Sequence, residues 1–332
     1  MVSKRQALTL FLVLTTSPFT ISSSNGGNMV VYWGQNIEES TLKSTCDTGF
    51  YKIVLLSFLN IFQEGRRIPK LNFIGHCNDK NPCTNLEPEI IHCQQKGVKV
   101  FLSLGGAYEN ETYSLGSLED AKNVANYLFT NFLNGQFGPL GSVTLNGISL
   151  DIQGGSDQWE FFAKYLLYVR QNYRYFYIAV ASQCIIPDQY LDKAIKSGSF
   201  DYAIVKFYNN PNCQYDQTNF NDTLLTRSWN SWTWLVQLDN NVFMGLLGSA
   251  TAAPSSGYIP QDYYHLSNVL PHIIQSYNYG GIVIWDRFHD DENSYDKQIE
   301  EHVKRHALQF VTQVFKAIER FVSASLNVMF LN

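Results

Sequence analysis

Asn146-Gly-Ile-Ser-Leu-Asp-Ile-Gln153 alternates two kinds of side chain. Successive residues of a strand point to opposite faces, so Ser149, Asp151 and Gln153 share one face and Ile148, Leu150 and Ile152 the other. The apolar set suits packing against helices. The polar set suits the interior of a closed sheet, near its mouth. Working outward, seven further short β-rich runs recur along the chain: Met29–Trp33, Lys52–Phe58, Val98–Leu104, Tyr177–Ala181, Tyr202–Tyr208, Val242–Leu246 and Gly281–Trp285. With Gly147–Ile152 they make eight. The segments between them include helical patterns such as Leu118–Leu133 and Trp159–Tyr173. Eight strands alternating with helices, with no Pro/Gly/Ser-rich linker between them, predict one α/β domain of the (β/α)8 TIM barrel class.

The chain has 332 residues, 45% of them hydrophobic, enough for a single large core. Its formal net charge of −5 and lack of a basic patch exclude nucleic acid as a partner. Lys4 and Arg5 precede the apolar run Ala7–Leu14 and the small polar stretch Ile21–Ser24. Residues 1–24 therefore read as a secretory signal peptide, with the mature chain starting near Asn25. That run is too short to cross a bilayer, and no other segment is long enough, so no membrane span is predicted. The protein is expected to be secreted, to the extracellular space (apoplast) or the vacuole. Six cysteines behind such a leader imply disulfides, and composition alone leaves their pairing open. Zinc would be the rival, but no CxxC pair is present and the histidines are scattered, so neither metal nor cofactor is predicted. Asn110-Glu-Thr and Asn221-Asp-Thr are glycosylation sequons.

Barrel proteins place their chemistry where strands end. That singles out Trp33-Gly34-Gln35, Ser103-Leu104-Gly105-Gly106, Asp151-Ile152-Gln153, Phe207-Tyr208 and Trp285-Asp286. On the sixth strand Ile204, Lys206 and Tyr208 share a face, so Lys206 points inward if Tyr208 does. A lysine inside a barrel needs a counter-charge. Asp151 is the expected partner, with another carboxylate or an exit to solvent as the alternatives.

The fourth strand resembles the signature of family 18 glycoside hydrolases, Asp-x-x-Asp-x-Asp-x-Glu, with Asn146, Ser149, Asp151 and Gln153 at the matching positions. Tyr32-Trp-Gly-Gln-Asn36, Ser103-Leu-Gly-Gly106, Phe207-Tyr-Asn-Asn210, Cys213-Gln-Tyr215, Gly257-Tyr-Ile-Pro260 and Trp285 are similar to the plant class III chitinase and concanavalin B branch of that family. The resemblance spans residues 27–303. It implies the disulfides Cys46–Cys93, Cys77–Cys83 and Cys184–Cys213. It also implies substrate-assisted retaining hydrolysis, an exception to the usual two-carboxylate scheme. In that chemistry the acid that protonates the leaving oxygen sits at the position of Gln153. The residue at Asp151 orients the acetamido group, its inner Asp partner falls at Ser149, and Tyr208 helps hold the acetamido oxygen. Trp285 is expected under the sugar, with Tyr32, Gly105 and Tyr208 lining the same wall and Lys206 among the substrate-binding residues. Class III chitinases usually carry Gln at the Lys206 position.

Gln153 donates hydrogen bonds but delivers no proton. The resemblance therefore implies a chitinase-like protein that binds chitin or N-acetylglucosamine oligosaccharides with little or no hydrolysis. An active endochitinase would need a substitute acid from Glu38, Glu39, Glu109, Glu111, Asp286, Asp290 or Asp291. A third reading is an inhibitor of foreign glycosidases such as xylanases, or a seed storage protein. Residues 304–332 lie beyond the resemblance. There Leu308, Val311, Val314, Phe315, Ile318, Phe321, Val322 and Leu326 recur at helical spacing, predicting an amphipathic helix packed on the barrel, with a vacuolar sorting extension or a wrongly assigned gene end as the rivals.

Overall fold

A computed structural model describes residues 27–62, 68–78, 80–108, 112–217, 223–236, 240–253, 256–300 and 302. The predicted leader, Glu109, Glu111, the sequon residues Asn110 and Asn221, and the extension 304–332 lie outside the described residues. No helix among the described residues is long and apolar enough to cross a membrane.

Among the described residues, eight barrel strands alternate with eight helices. The strands are β1 (Asn28–Trp33), β2 (Tyr51–Ile61), β3 (Lys99–Gly106), β4 (Gly147–Ile152), β5 (Tyr177–Gln183), β6 (Tyr202–Lys206), β7 (Asn241–Leu247) and β8 (Tyr279–Trp285). The helices are α1 (Leu42–Asp47), α2 (Glu87–Gln95), α3 (Leu118–Leu128), α4 (Trp159–Asn172), α5 (Asp192–Lys196), α6 (Thr223–Leu235), α7 (Tyr263–Ile274) and α8 (Arg287–Asn293). Neighbouring strands pair in parallel, and β1 pairs with both β2 and β8, which closes the barrel. A two-residue strand, Lys70–Leu71, adds antiparallel to the end of β2. The eight strands are those read from the sequence, with ends shifted by a few residues. The expected helix over 118–133 is α3 followed by a wider π-type turn, Phe129–Leu133.

Side-chain alternation separates two cores. Ile148, Leu150 and Ile152 of β4 join the outer layer between strands and helices, with Trp159, Phe162 and Leu166 of α4 in the same cluster. The inner layer holds Val30, Tyr32, Ile53, Leu55, Phe101, Ala179, Ile204, Phe243 and Val283. Toward the amino-terminal ends of the strands it is plugged by stacked rings: Phe101 lies 5.9 Å from Tyr177 and 6.1 Å from Tyr202, and Tyr177 lies 5.3 Å from Tyr202. Ring packing of this kind stabilises beyond the area it buries. Above the plug, Ser57, Ser103 and Ser149 lie side by side in register, all fully buried. Three disulfides, Cys46–Cys93, Cys77–Cys83 and Cys184–Cys213, match the implied pairing and use every cysteine. Cys46–Cys93 staples α1 to α2.

Two local features bear on the barrel's integrity. Gly105 pairs with Asp151 and holds φ +102, a conformation that L residues rarely adopt; a Cβ there would meet the Asp151 carbonyl oxygen at 2.2 Å. Between the start of β2 and α8, Tyr51 donates to Asp290 and accepts from Arg287 Nη1 at 2.9 Å. Arg287 also pairs with Asp290 at 2.8 Å, with Asp291, and with Asp296 at 3.8 Å. Burial, and then the neighbouring Asp296 charge, push the Asp290 carboxyl up to about 6.

Gly105→Ala is expected to lower stability by about 2–4 kcal/mol, the sum of backbone strain and overpacking, measured as the urea midpoint at constant m-value. Asp290 binds its proton more tightly in the folded than in the unfolded chain. Its contribution is therefore present at low pH and is lost as pH rises from about 4 through about 6. Asp290→Asn should flatten that part of the stability–pH curve, and thermal melts of both proteins across this range check it.

Candidate active site

The inward residues of β4 and β6 converge at the barrel mouth. Lys206, the last residue of β6, follows Ile204 on the inward face by the two-residue period, and Ile204 itself belongs to the inner layer. Its Nζ lies 2.5 Å from Asp151 Oδ1, and each side chain is only 3% exposed. The expected pair therefore exists. Asp151 is held from two more sides: Tyr32 donates its hydroxyl to Oδ2 at 2.9 Å, and Gln153 donates its Nε2 to Oδ1 at 3.1 Å. Three donors, one of them charged, make this a charge-assisted network whose members fix one another's orientation. Removing one ion of such a pair strands the other in a dry site, typically at a cost of about 3–5 kcal/mol.

Gln153 is positioned from behind. Its backbone N–H donates to the Tyr113 hydroxyl at 2.9 Å, and Tyr113 donates on to the Gly106 carbonyl at 2.8 Å. This locks the end of β4 to the end of β3. Ser149 lies below Asp151, fully buried, and its hydroxyl has no hydrogen-bond partner in the protein. Burial and then the Asp151 charge push the phenols of Tyr32 and Tyr208 well above the usual tyrosine range; Asp286 adds to the effect on Tyr208. Both stay neutral donors at physiological pH.

A cleft of about 560 Å³ opens over this floor. Asp151, Gln153, Lys206, Tyr208 and Trp285 all line it. Trp285, half-buried, packs edge-on to Tyr32 at 5.1 Å and stacks on Phe58 at 5.9 Å, while its Nε1 donates to the Ala252 carbonyl at 3.2 Å. Tyr32 and Gly105 do not line the cleft. Tyr32 lies under the floor, bonded to Asp151, and Gly105 is the backbone neighbour that lets β3 approach it. Sequence reasoning missed Phe58, Asn60, Asn72, Gln183 and Asn209 as cleft residues. Gln183 could have been found, because it ends β5. Asn60 and Asn72 could not, because Asn60 lies at the end of the long β2 and Asn72 just after the short strand Lys70–Leu71, a path that periodicity does not set.

Among the described loop carboxylates, four have partners of their own. Glu39 is buried and accepts from the Gly34 N–H at 2.7 Å, with His76 Nε2 at 2.8 Å. Asp286 caps α8 and contacts His289 Nδ1 at 2.7 Å. Asp290 and Asp291 pair with Arg287. Glu38 does not line the cleft. Among the described residues, Asp151 is the one carboxylate that does. The arrangement can stack a ring and donate and accept hydrogen bonds, but its carboxylate is already held by an ammonium.

Comparison with known proteins agrees with this architecture. Residues 28–252 match the model of glycosyl hydrolases family 18. An acidic endochitinase of Cicer arietinum is 45% identical over 282 residues, covering 84% of this chain and 93% of the relative. Among solved structures, concanavalin B is 40% identical with a TM-score of 0.78, covering 84% of this chain and 99% of that one. A xylanase and α-amylase inhibitor protein of Scadoxus multiflorus is 37% identical with a TM-score of 0.74, covering 82% of this chain and 97% of that one. A closed eight-stranded barrel, with its polar pair at the mouth, and a relationship across nearly the whole length of these proteins lead to one conclusion: the chain belongs to glycosyl hydrolase family 18.

Proposed function

We propose that this protein is a chitinase-like lectin: its cleft holds N-acetylglucosamine oligosaccharides and hydrolyses them slowly or not at all. The observation that carries this reading is the state of Asp151. The only carboxylate of the cleft among the described residues is salt-bridged at 2.5 Å to Lys206, and the residue two positions on is an amide. In this reading Gln153 occupies the position of the proton donor.

The chemistry follows from what each side chain can supply. Cleaving a glycosidic bond expels an alkoxide-like leaving group unless an acid within hydrogen-bond reach protonates the oxygen. A carboxamide N–H holds that oxygen but does not release its proton. A positioned general acid contributes about 10²–10⁴ in rate, so its loss alone makes turnover slow. Asp151 would normally respond to a substrate acetamide by accepting its N–H, and here that capacity is taken up by Lys206, Gln153 and Tyr32. Binding is kept: Trp285 offers an apolar ring face to a pyranose, and neutral amides and Tyr208 surround it. The three disulfides and the leader-like amino terminus support secretion into an oxidising compartment.

The wild type is expected to be retained on chitin and to release no product from a chitin oligomer, followed by mass spectrometry of the sugars. Gln153→Glu should raise the rate by about 100-fold or more, since it restores a group with an exchangeable proton at the same place. The wild-type preparation must first be shown free of deamidated Gln153, because trace Glu would mimic weak activity. Rapid wild-type turnover would overturn the reading. A protein that ignores chitin but blocks a xylanase or amylase would belong with the inhibitors of this scaffold, and one that does neither would fit a storage role.

A further inference from the structure

We infer that residues 308–326 form a helix whose apolar face seats in a groove on the outer surface of the barrel, along α6. Among the described residues the groove and the cleft share no lining residue, so the inference stands whether or not the cleft holds a sugar.

The sequence of the segment calls for a partner. At helical spacing Val311, Val314, Phe315, Ile318, Phe321 and Val322 fall on one side, and Gln309, Gln313, Lys316 and Arg320 on the other. A lone helix of this length is marginal in water, and most of its stability has to come from packing that apolar face. The groove offers a surface of matching kind. It encloses about 860 Å³. Thr226, Asn230 and Trp234, spaced four apart on α6, line it with Leu235, with Ile186 from the loop after β5, and with His272 of α7. The opposite face of α6 is already committed, since Leu225, Trp229 and Trp232 are fully buried. Trp234 stands apart: it is 85% exposed, whereas Trp33, Trp159, Trp229 and Trp232 are at most 1% exposed. A ring of that size gains much by being covered.

The segment starts within reach. His302, the last described residue, is buried, with its ring 5.2 Å from that of Tyr263 at the start of α7. His272 lies nine residues further along α7, about 14 Å at 1.5 Å per residue. Residues 303–307 in extended form span up to about 17 Å, which brings Leu308 to the groove. A helix over 308–326 is about 28 Å long and covers the length of α6, about 20 Å. Arg227 on the groove has the same sign as Lys316 and Arg320, so apolar contact rather than charge carries the docking.

Two readouts on the full chain test this, one from each side of the contact. Trp234 should be shielded in the wild type, so Trp234→Phe should leave acrylamide quenching of tryptophan emission nearly unchanged. Val311→Asp/Ile318→Asp should raise the quenching and shift the emission to the red, and adding Trp234→Phe should cancel both changes. Hydrogen exchange of residues 308–326 should be slow in the wild type. Ile186→Asp, on the groove side, should speed it at least about tenfold, because exchange follows the undocked population. These positions lie outside the barrel core, so the variants should keep the fold, which circular dichroism checks. Shielding and protection should both survive raised salt, as apolar contacts do. A wild type whose Trp234 is quenched as freely as in the double variant overturns the inference. So does shielding that Val311→Asp/Ile318→Asp leaves intact, since another part of the chain would then fill the groove. Shielding that is lost on dilution assigns the groove to a second copy instead. Protection of 308–326 that appears only with anionic lipid vesicles assigns the helix to a membrane surface. Either of these two results also overturns it.

Discussion

The mouth of this molecule depends on the closure of its sheet. β1 makes hydrogen bonds to β2 on one side and β8 on the other, so none of the eight barrel strands has a free edge and the side chains that face the axis have nowhere else to go. Closure is why alternation along a single strand decides chemistry. In β4 the odd positions 149 and 151 must enter a space shared with β1 and β6, and there Asp151 meets Tyr32 and Lys206 although they are separated by 119 and 55 residues in sequence. The aromatic plug beneath fills the rest of the barrel, so polar groups collect at the end where the strands terminate.

Within that frame the charged pair is a compromise between solvation and order. An ammonium and a carboxylate, each 3% exposed, have given up most of their water. Their mutual attraction offsets this only because Tyr32 and Gln153 complete the carboxylate's hydrogen bonds. The pair is therefore a poor source of net stability and a good source of rigidity, since each member has one geometry in which it is satisfied. Rigidity suits recognition of a preformed ligand. It does not suit a reaction in which a carboxylate must change partners between steps.

Much of this was legible in the sequence, for a physical reason. Alternate residues of a strand share a face, so Ser149, Asp151 and Gln153 group together on sequence alone, and likewise Ile204, Lys206 and Tyr208, while the inward direction of the second set rested on the resemblance that puts Tyr208 in the cleft. The inward lysine needed a counter-ion, and the nearest inward acid was Asp151. The cysteine pairing came from resemblance, since spacing left it open. What was not legible lies where periodicity ends. Tyr32 was expected on the wall and lies under the floor, because a strand pattern gives the face but not the depth. Asn60 and Asn72 reach the cleft from the long excursion of β2 and the short strand paired to it, a path set by tertiary contacts. Among the described loop acids, Asp286, Asp290 and Asp291 pair with His289 and Arg287 at helical spacing, which the sequence could have offered, whereas Glu39 meets His76, 37 residues away, through tertiary contact.

The Lys206–Asp151 pair also has a bearing on descent. From a protein built this way, a change to a floor with an unpaired charge has no easy first step. Losing Lys206 alone leaves a buried anion, and losing Asp151 alone leaves a buried cation. Either intermediate gives up about 3–5 kcal/mol from a molecule whose total margin is of the order of 5–15 kcal/mol. Substitution elsewhere in the cleft is free to drift by comparison. The pair therefore works as a ratchet: once in place, it is hard to remove one mutation at a time, while the residues around it can vary.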